Sequence, residues 1–368
     1  MLVLPPLSLY IHYPWCVKKC PYCDFNSHEQ RTENDTAYIQ AVLADLKNQL
    51  HWVQGREIQT IFIGGGTPSL CSIEAMEVLF AGLRKTLDFA DDIEITLEAN
   101  PGASDREKFS ALKKLGVNRL SIGVQSFNDG YLQNLGRIHS SQQAIETLKQ
   151  AQVVGFDNIN IDLMFGFEGQ SIDECLYDVK QAIALSPAHI SFYQLTIEPN
   201  TFFAKHPPKL SQENAWEMQE QGQLLLEQAG FIQYEVSAFS QRPAKHNLNY
   251  WQFGDYLGIG AGAHGKITTE GKILRTLQSK SPKDFTQNNQ NKITAVKQLS
   301  FEFMLNALRL KAGFESDLFT QRTGQSIPTI QQQLNKAQTL GLLELNDKRI
   351  QPSEKGFNFL NDLQVIFL

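Results

Sequence analysis

No apolar run in this chain approaches the roughly 20 residues that an α-helix needs to cross a bilayer, and its first residues, MLVLPPLSLY, lack the basic region and hydrophobic stretch of a secretory leader. Both absences lead to the expectation of a cytoplasmic protein, with peripheral membrane association left open. A surplus of positive charge is also missing: 33 Lys and Arg stand against 39 Asp and Glu, a net charge of -6. Nucleic acid is therefore not expected as the main partner, because a phosphate backbone needs a basic face. Cysteine is scarce, five in 368 residues with three of them clustered, which excludes a disulfide framework. No GxGxxG follows the first strand-like run and no GK[ST] follows the glycine run at 64–66, so the dinucleotide-binding fold is disfavoured and an NTPase loop fails.

What is present is the composition of an ordinary globular protein, 42% hydrophobic and 20% charged, with length enough for a large core. Apolar, β-branched runs at 8–13, 59–64, 92–98, 119–126, 159–166 and 189–197 read as buried strands of a parallel sheet. The segments between them are helical in pattern. In AYIQAVLADLKNQL, Ile39, Val42, Leu43, Leu46 and Leu50 mark one face, and DREKFSALKKLG (105–116) opens on acids and closes on glycine. Six β-then-α units in succession predict an α/β fold, a barrel or partial barrel, with its chemistry at the C-terminal ends of the strands.

The pattern loosens after about residue 200, through KHPPKL, a helix at 211–229 and the glycine-rich DYLGIGAGAHG. Residues 296–368 have the outline of a winged helix around a turn NDK, yet the candidate recognition helix, 329–340, carries only Lys336 and no arginine. Packing or partner docking suits that module better than DNA. The chain is accordingly divided into 1–205, 206–295 and 296–368.

Cys16, Cys20 and Cys23 form CxxxCxxC directly after the first strand, without the paired CxxC spacing of structural zinc. Three soft ligands on one tight loop suit a [4Fe-4S] cluster with one iron free of protein ligands, which the amino and carboxylate groups of S-adenosylmethionine (SAM) can chelate. A zinc site with a distant fourth ligand, His12 or His28 among the options, is the plainer alternative. Gly64, Gly65 and Gly66 end the second strand and either let a ligand approach the backbone or simply make a tight turn. Glu98, Gln125 and Asp162 lie at or near later strand ends and Arg137 follows in NLGRIH, a set suited to a zwitterionic nucleoside or to ordinary solvated ends. In HNLNYW, His246 stands beside Tyr250 and Trp251 as a weak heme-ligand candidate, with His264 a second of the same kind.

Together LYIHYPWCVKKCPYCDF, GGGTPS, LEANP, GVQSF, LGRIH, NIDLMFG, HNLNYW and YLGIGAGAHG resemble the radical SAM proteins related to oxygen-independent coproporphyrinogen III oxidase, most closely their heme-chaperone branch, over essentially the whole chain. The resemblance implies a partial (β/α)6 TIM-like barrel with a C-terminal α-rich, winged-helix-like module. It implies a [4Fe-4S] cluster on Cys16, Cys20 and Cys23, Tyr10 and Tyr22 beside cluster and SAM, and Gly65, Gly66 and Thr67 at the bound SAM. Glu98, Gln125, Arg137 and Asp162 match further SAM positions. Two departures from the oxidase stand out: Phe25 replaces an additional cysteine, and the oxidase's long extension before the cluster motif is missing. HNxxYW, which belongs to the chaperone branch, makes His246 the expected heme ligand, with Asn247, Tyr250 and Trp251 around it.

The implied function is a heme chaperone that passes heme to apo-proteins such as respiratory enzymes. The alternative is an oxygen-independent coproporphyrinogen III dehydrogenase that cleaves SAM to a radical and decarboxylates propionates. A third option, an iron-sulfur protein without SAM, conflicts with the polar strand ends. No residue is assigned as catalytic.

Overall fold

A computed structural model describes residues 2–29, 34–102, 106–288, 290–346 and 348–368. Asp105, the first acid of the predicted 105–116 helix, and Asp347 of the NDK turn lie outside the described residues. The six predicted strands form as β1 (Leu7–Tyr13), β2 (Ile58–Gly65), β3 (Phe89–Ala99), β4 (Arg119–Gln125), β5 (Ile159–Phe165) and β6 (His189–Gln194). They lie side by side in chain order, each parallel to the next, as right-handed crossovers require. Beyond β6 the chain adds an antiparallel pair, β7 (Ile232–Glu235) and β8 (Ala238–Ser240).

The glycine-rich stretch at 255–265 departs from the loosened pattern expected there. It supplies β9 (Asp255–Ile259), a seventh parallel strand registered on β1 from Leu7↔Asp255 to Ile11↔Ile259. Gly258 conceals the strand in the sequence and is required by it, because a Cβ there would overlap the His264 carbonyl oxygen. Antiparallel β10 (His264–Thr269), β11 (Lys272–Leu277) and β12 (Lys292–Ala295) extend that edge, completing an open twelve-stranded sheet rather than a closed barrel.

The crossover helices start where short polar side chains can satisfy their free N–H groups. Asn34 caps the helix Asp35–Gln49, Ser72 caps Ile73–Thr86, and Ser140/Gln143 and Ser171/Glu174 form capping boxes for Ser141–Val154 and Ile172–Ala184. One face of each strand packs on these helices: Leu9, Ile61, Ile63, Leu97, Leu120, Ile122, Ile161 and Ile190 are fully buried with Leu46, Leu79, Phe109, Leu148 and Val179. The opposite face carries the alternate residues, many of them polar, and faces the barrel interior.

At the C-terminus, Phe314–Glu315, Leu343–Leu345 and Arg349–Pro352 form a small antiparallel sheet beside helices Leu299–Ala307, Ser316–Thr323 and Gln331–Thr339. Its core, centred on Phe303, Phe319, Leu334 and Leu363, also takes in Phe253 and Ile273. Among the described residues, no helix is long and apolar enough to cross a membrane.

Candidate functional site

The cysteine loop leaves β1 and is closed at its neck, where Trp15–Cys16 pairs in parallel with His28–Glu29. Inside the loop Cys23 N–H donates to the Cys20 carbonyl at 3.1 Å, and Lys19 Nζ bridges the carbonyls of Phe25 and Ser27 at 3.1 and 3.2 Å. Asn26 Nδ2 ties the loop to the Ala261 and Lys280 carbonyls at 3.0 and 2.9 Å, just past the C-terminal ends of β9 and β11. The backbone is thus held in place by its own polar contacts. Cys16 is buried and Cys20 and Cys23 are half-buried, all three as free thiols. Burial pushes the Cys16 thiol up to about 11 and raises Cys23 as well, so loading a metal there must release protons. Among the described residues, no three His, Cys, Asp or Glu side chains converge on a point fit for a single metal ion. A four-iron cluster offers a different iron to each thiolate, so three soft donors on a preset loop fit it better than they fit one zinc ion.

The glycine run packs directly on this loop. Gly66 N–H donates to the Tyr13 carbonyl and Thr67 N–H to the Trp15 carbonyl, both at 2.7 Å, and a Cβ at Gly66 would overlap the Trp15 carbonyl. Close backbone approach is therefore a requirement of the fold here, whatever binds. Gly66→Ala is expected to lower stability by about 1–3 kcal/mol through this overlap; a denaturation midpoint equal to wild type would show that the turn has room. His12 buttresses the junction from behind: its Nε2–H donates to the Asn26 carbonyl at 2.9 Å, which leaves Nδ1 to accept from the Tyr10 hydroxyl at 2.9 Å. Tyr10 thus supports the site from a layer below.

A cavity of about 350 Å³ opens beside the loop, lined by all three cysteines and by Tyr22, Gly65, Gly66 and Thr67. Glu98, Gln125, Arg137 and Asp162 line it too, and Phe25 stands exposed at its rim. Glu98 accepts from Gly65 N–H at 3.0 Å, and burial, with the Asp162 charge adding to it, lifts its carboxyl to about 8. Burial raises Asp162 as well, although Asn160 Nδ2 donates to it at 2.8 Å. Gln125 sits in the left-handed region at φ 70°, with Oε1 accepting from Tyr193 at 2.9 Å. Arg137 donates to Asn100 Oδ1 at 2.8 Å and to the Gly123 carbonyl at 2.6 Å, and reaches Cys20 Sγ at 3.8 Å. Asn100 in turn donates to Thr67 Oγ1 at 2.8 Å, which couples the glycine turn, Arg137 and Cys20.

HNLNYW forms the short helix Lys245–Trp251, whose first N–H groups meet the Glu94 carboxylate at 3.1 Å. Its four candidate residues divide between two faces. Asn247 and Trp251 line the cavity, whereas His246 is 1% exposed in the layer behind. Thr60 spends its hydroxyl proton on Ser8 Oγ at 2.7 Å, so His246 Nδ1–H donates to Thr60 Oγ1 at 2.6 Å. Burial pushes His246 down to about 3, and its neutral Nε2 then accepts from the Tyr250 hydroxyl at 2.9 Å. The nitrogen with the free electron pair is therefore the one covered by Tyr250. His264, the second heme-ligand candidate, is exposed at the start of β10, away from the cavity.

Several cavity residues escaped the sequence reading, Arg119, Asn160, Ser191, Glu235 and Arg309 among them. The signal was available as alternation: Arg119, Ser121 and Gln125 alternate with buried Leu120, Ile122 and Val124, as Asn160 and Asp162 do with Ile159, Ile161 and Leu163.

The Radical SAM superfamily signature matches residues 10–182, and the HemN C-terminal domain matches 296–359. The Escherichia coli heme chaperone HemW is 48% identical over all of both chains. The Haemophilus influenzae heme chaperone HemW is 47% identical over 99% of this chain and 98% of its own. That of Bacillus subtilis is 35% identical over 87% of this chain and 88% of its own. Among solved structures, the Escherichia coli coproporphyrinogen III oxidase HemN, a radical SAM enzyme, superposes with a TM-score of 0.83 over 99% of this chain and 90% of that one, at 22% identity. That likeness establishes the shared fold.

Proposed function

Since the chain belongs to the heme chaperone HemW family of radical SAM proteins, we propose that it binds heme and delivers it to apo-proteins, with a SAM-coordinating [4Fe-4S] cluster on Cys16, Cys20 and Cys23. The observation that carries this reading is the shared cavity, bounded by the cysteine loop and also by Asn247 and Trp251 of the HNxxYW helix. His246 stands immediately behind as a neutral imidazole, the form that ligates a heme iron. When bound, the cluster would supply a low-potential electron at an iron open to SAM.

The protein's own groups do the rest. The Lys19 and Asn26 contacts hold the thiols in one loop, the Gly65–Thr67 turn offers backbone to the ligand, and Glu98, Gln125 and Asp162 give acceptors for its amine and hydroxyls. Arg137 holds the Cys20 side of the loop and presents positive charge to the ligand carboxylate. Phe25 at the rim puts an apolar ring where the oxidase motif has a further cysteine, which favours the chaperone over the dehydrogenase.

Glu98 gives this site a pH dependence. Below about 8 it is a neutral acid in the free protein, whereas SAM, with net positive charge, favours the carboxylate. Binding then displaces a proton, so SAM affinity is expected to rise by up to about tenfold per pH unit toward pH 8 and to level off above it. Calorimetry in buffers of different ionisation enthalpy reads the sum of this proton and the one that the SAM ammonium loses on chelating iron, and Glu98→Gln isolates the Glu98 share; equal proton release in wild type and Glu98→Gln would remove Glu98 from the site.

The function itself is tested by anaerobic incubation of cluster-loaded protein with coproporphyrinogen III, SAM and reductant, and in parallel by mixing heme-loaded protein with an apo-form respiratory heme enzyme. Recovery of the acceptor's activity without protoporphyrinogen supports the proposal. Robust decarboxylation overturns it.

A further inference from the structure

Arg119 opens β4 inside the barrel, is 2% exposed, and lines the cavity. A guanidinium keeps its charge at any physiological pH, and a buried charge without a partner is strongly destabilising. Yet Arg119 forms no ion pair among the described residues. Its one hydrogen bond there is long, Nη1 to Thr96 Oγ1 at 3.5 Å, and its buried Nε has no acceptor.

Among the described residues, the same cavity wall holds two further donors with a buried N–H that lacks a partner. Arg309 has a buried Nε without a partner; its Nη2 is 3.5 Å from Glu235 Oε2 and its guanidinium lies 4.3 Å from the Trp251 ring centre. The Trp251 Nε1–H is buried and unpartnered as well. Glu235, which lines the cavity with Glu98 and Asp162, is engaged by Arg309 and Ser237. Glu98 and Asp162 line the same cavity and feel the Arg119 charge, but burial raises both carboxyls and so favours their neutral forms, which leaves the wall with donor N–H groups that no acceptor among the described residues satisfies.

We infer that Arg119, Arg309 and the indole N–H of Trp251 form a receptor for a ligand carboxylate, and that the carboxylate is a propionate of the tetrapyrrole. The inference rests on the heme-binding reading above and adds to it a recognition element. SAM also carries a carboxylate, but position argues against it. Arg119 and Gln125 are the first and last residues of β4, about 20 Å of strand apart, and Gln125 lies toward the cysteine loop where SAM would meet the open iron. Across the sheet Arg119 lies opposite Thr96 and Thr96 opposite Phe62, whose ring centre is 5.2 Å from that of His246, while its charge also reaches Glu98 and Asp162 on the SAM side. The receptor and the candidate iron ligand therefore share one end of the interior.

The test compares heme with heme dimethyl ester, which retains iron and ring but has no free propionate, on cluster-loaded wild-type protein and on Arg119→Met. Wild type is expected to bind the ester about 10- to 100-fold more weakly than heme, the range of a lost charge-assisted hydrogen bond. Arg119→Met is expected to bind both ligands equally weakly, with iron content and SAM affinity unchanged. Equal affinity of wild type for heme and ester would overturn the inference without need of a folded variant, and leaves the chaperone reading intact. Loss of SAM binding in Arg119→Met with heme binding unchanged would also overturn it, by assigning the receptor to SAM. Absence of heme binding by wild type would remove the chaperone reading and this inference with it.

Discussion

Cys20→Ser is expected to abolish the iron-sulfur cluster while leaving a folded chain: less than about a tenth of wild-type iron after anaerobic reconstitution, loss of the broad visible absorption, and a melting temperature within about 4 °C of the metal-free wild type. The fold tolerates the change because Cys20 is half-buried on the loop and contributes to none of the hydrophobic cores. Among the described residues its thiol accepts one hydrogen bond, from Arg137 Nη1 at 3.8 Å, which a serine can also serve. The cluster does not tolerate it, because an alkoxide is a poor substitute for a soft thiolate. Cys71 provides the contrast. It is fully buried in the main core, so Cys71→Ser should cost about 1–3 kcal/mol for an added buried hydroxyl and leave the iron content unchanged. Equal iron and absorption in Cys20→Ser and wild type would dismiss the cysteine loop as the cluster site.

His246→Ala is expected to remove saturable heme binding, weakening it by about a hundredfold or more as the axial ligand is lost. The variant also strips two buried hydrogen bonds, to Thr60 and Tyr250, so some loss of stability accompanies it; retained iron content and SAM binding mark a preparation that is still folded. Tyr250→Phe separates ligation from packing. It removes the hydroxyl that occupies His246 Nε2 while keeping the ring, which packs edge-on to Tyr256 with centroids 4.5 Å apart. Heme should then bind the variant at least as tightly as wild type, with an unchanged Soret position. If His246→Ala binds heme as wild type does, the ligand is another residue and the HNxxYW helix has a different role.

The barrel was readable because its strands are long apolar runs and its helices show a repeating apolar face, as at Ile39, Val42, Leu43, Leu46 and Leu50, each signal being local. β9 was harder to read, since its stability comes from pairing with β1, over 240 residues away in sequence, and Gly258 breaks the apolar pattern that would have revealed it. The cavity residues nearest the cysteine loop were legible as polar strand ends. The deeper ones were not, because reading the strands as buried throughout hid the every-second-residue polarity of β4 and β5. His246 exposes the limit most clearly. Its motif can be seen in one dimension, but its partners from elsewhere, Thr60 on β2, itself bonded to Ser8 on β1, and Glu94 at the helix start, come together only in the fold. Arg309 reaches the cavity from the region just past Leu299–Ala307, and nothing local to that segment marks it.

Heme carriage by this barrel is the proposal on which the His246, Tyr250 and Arg119 predictions depend. An anaerobic titration of hemin into the cluster-loaded wild-type protein, followed at the Soret band, tests it most directly. The prediction is saturation at about one heme per chain, the number one axial histidine allows, with the band shift absent in His246→Ala. A Soret band that grows without saturation in both proteins would contradict it.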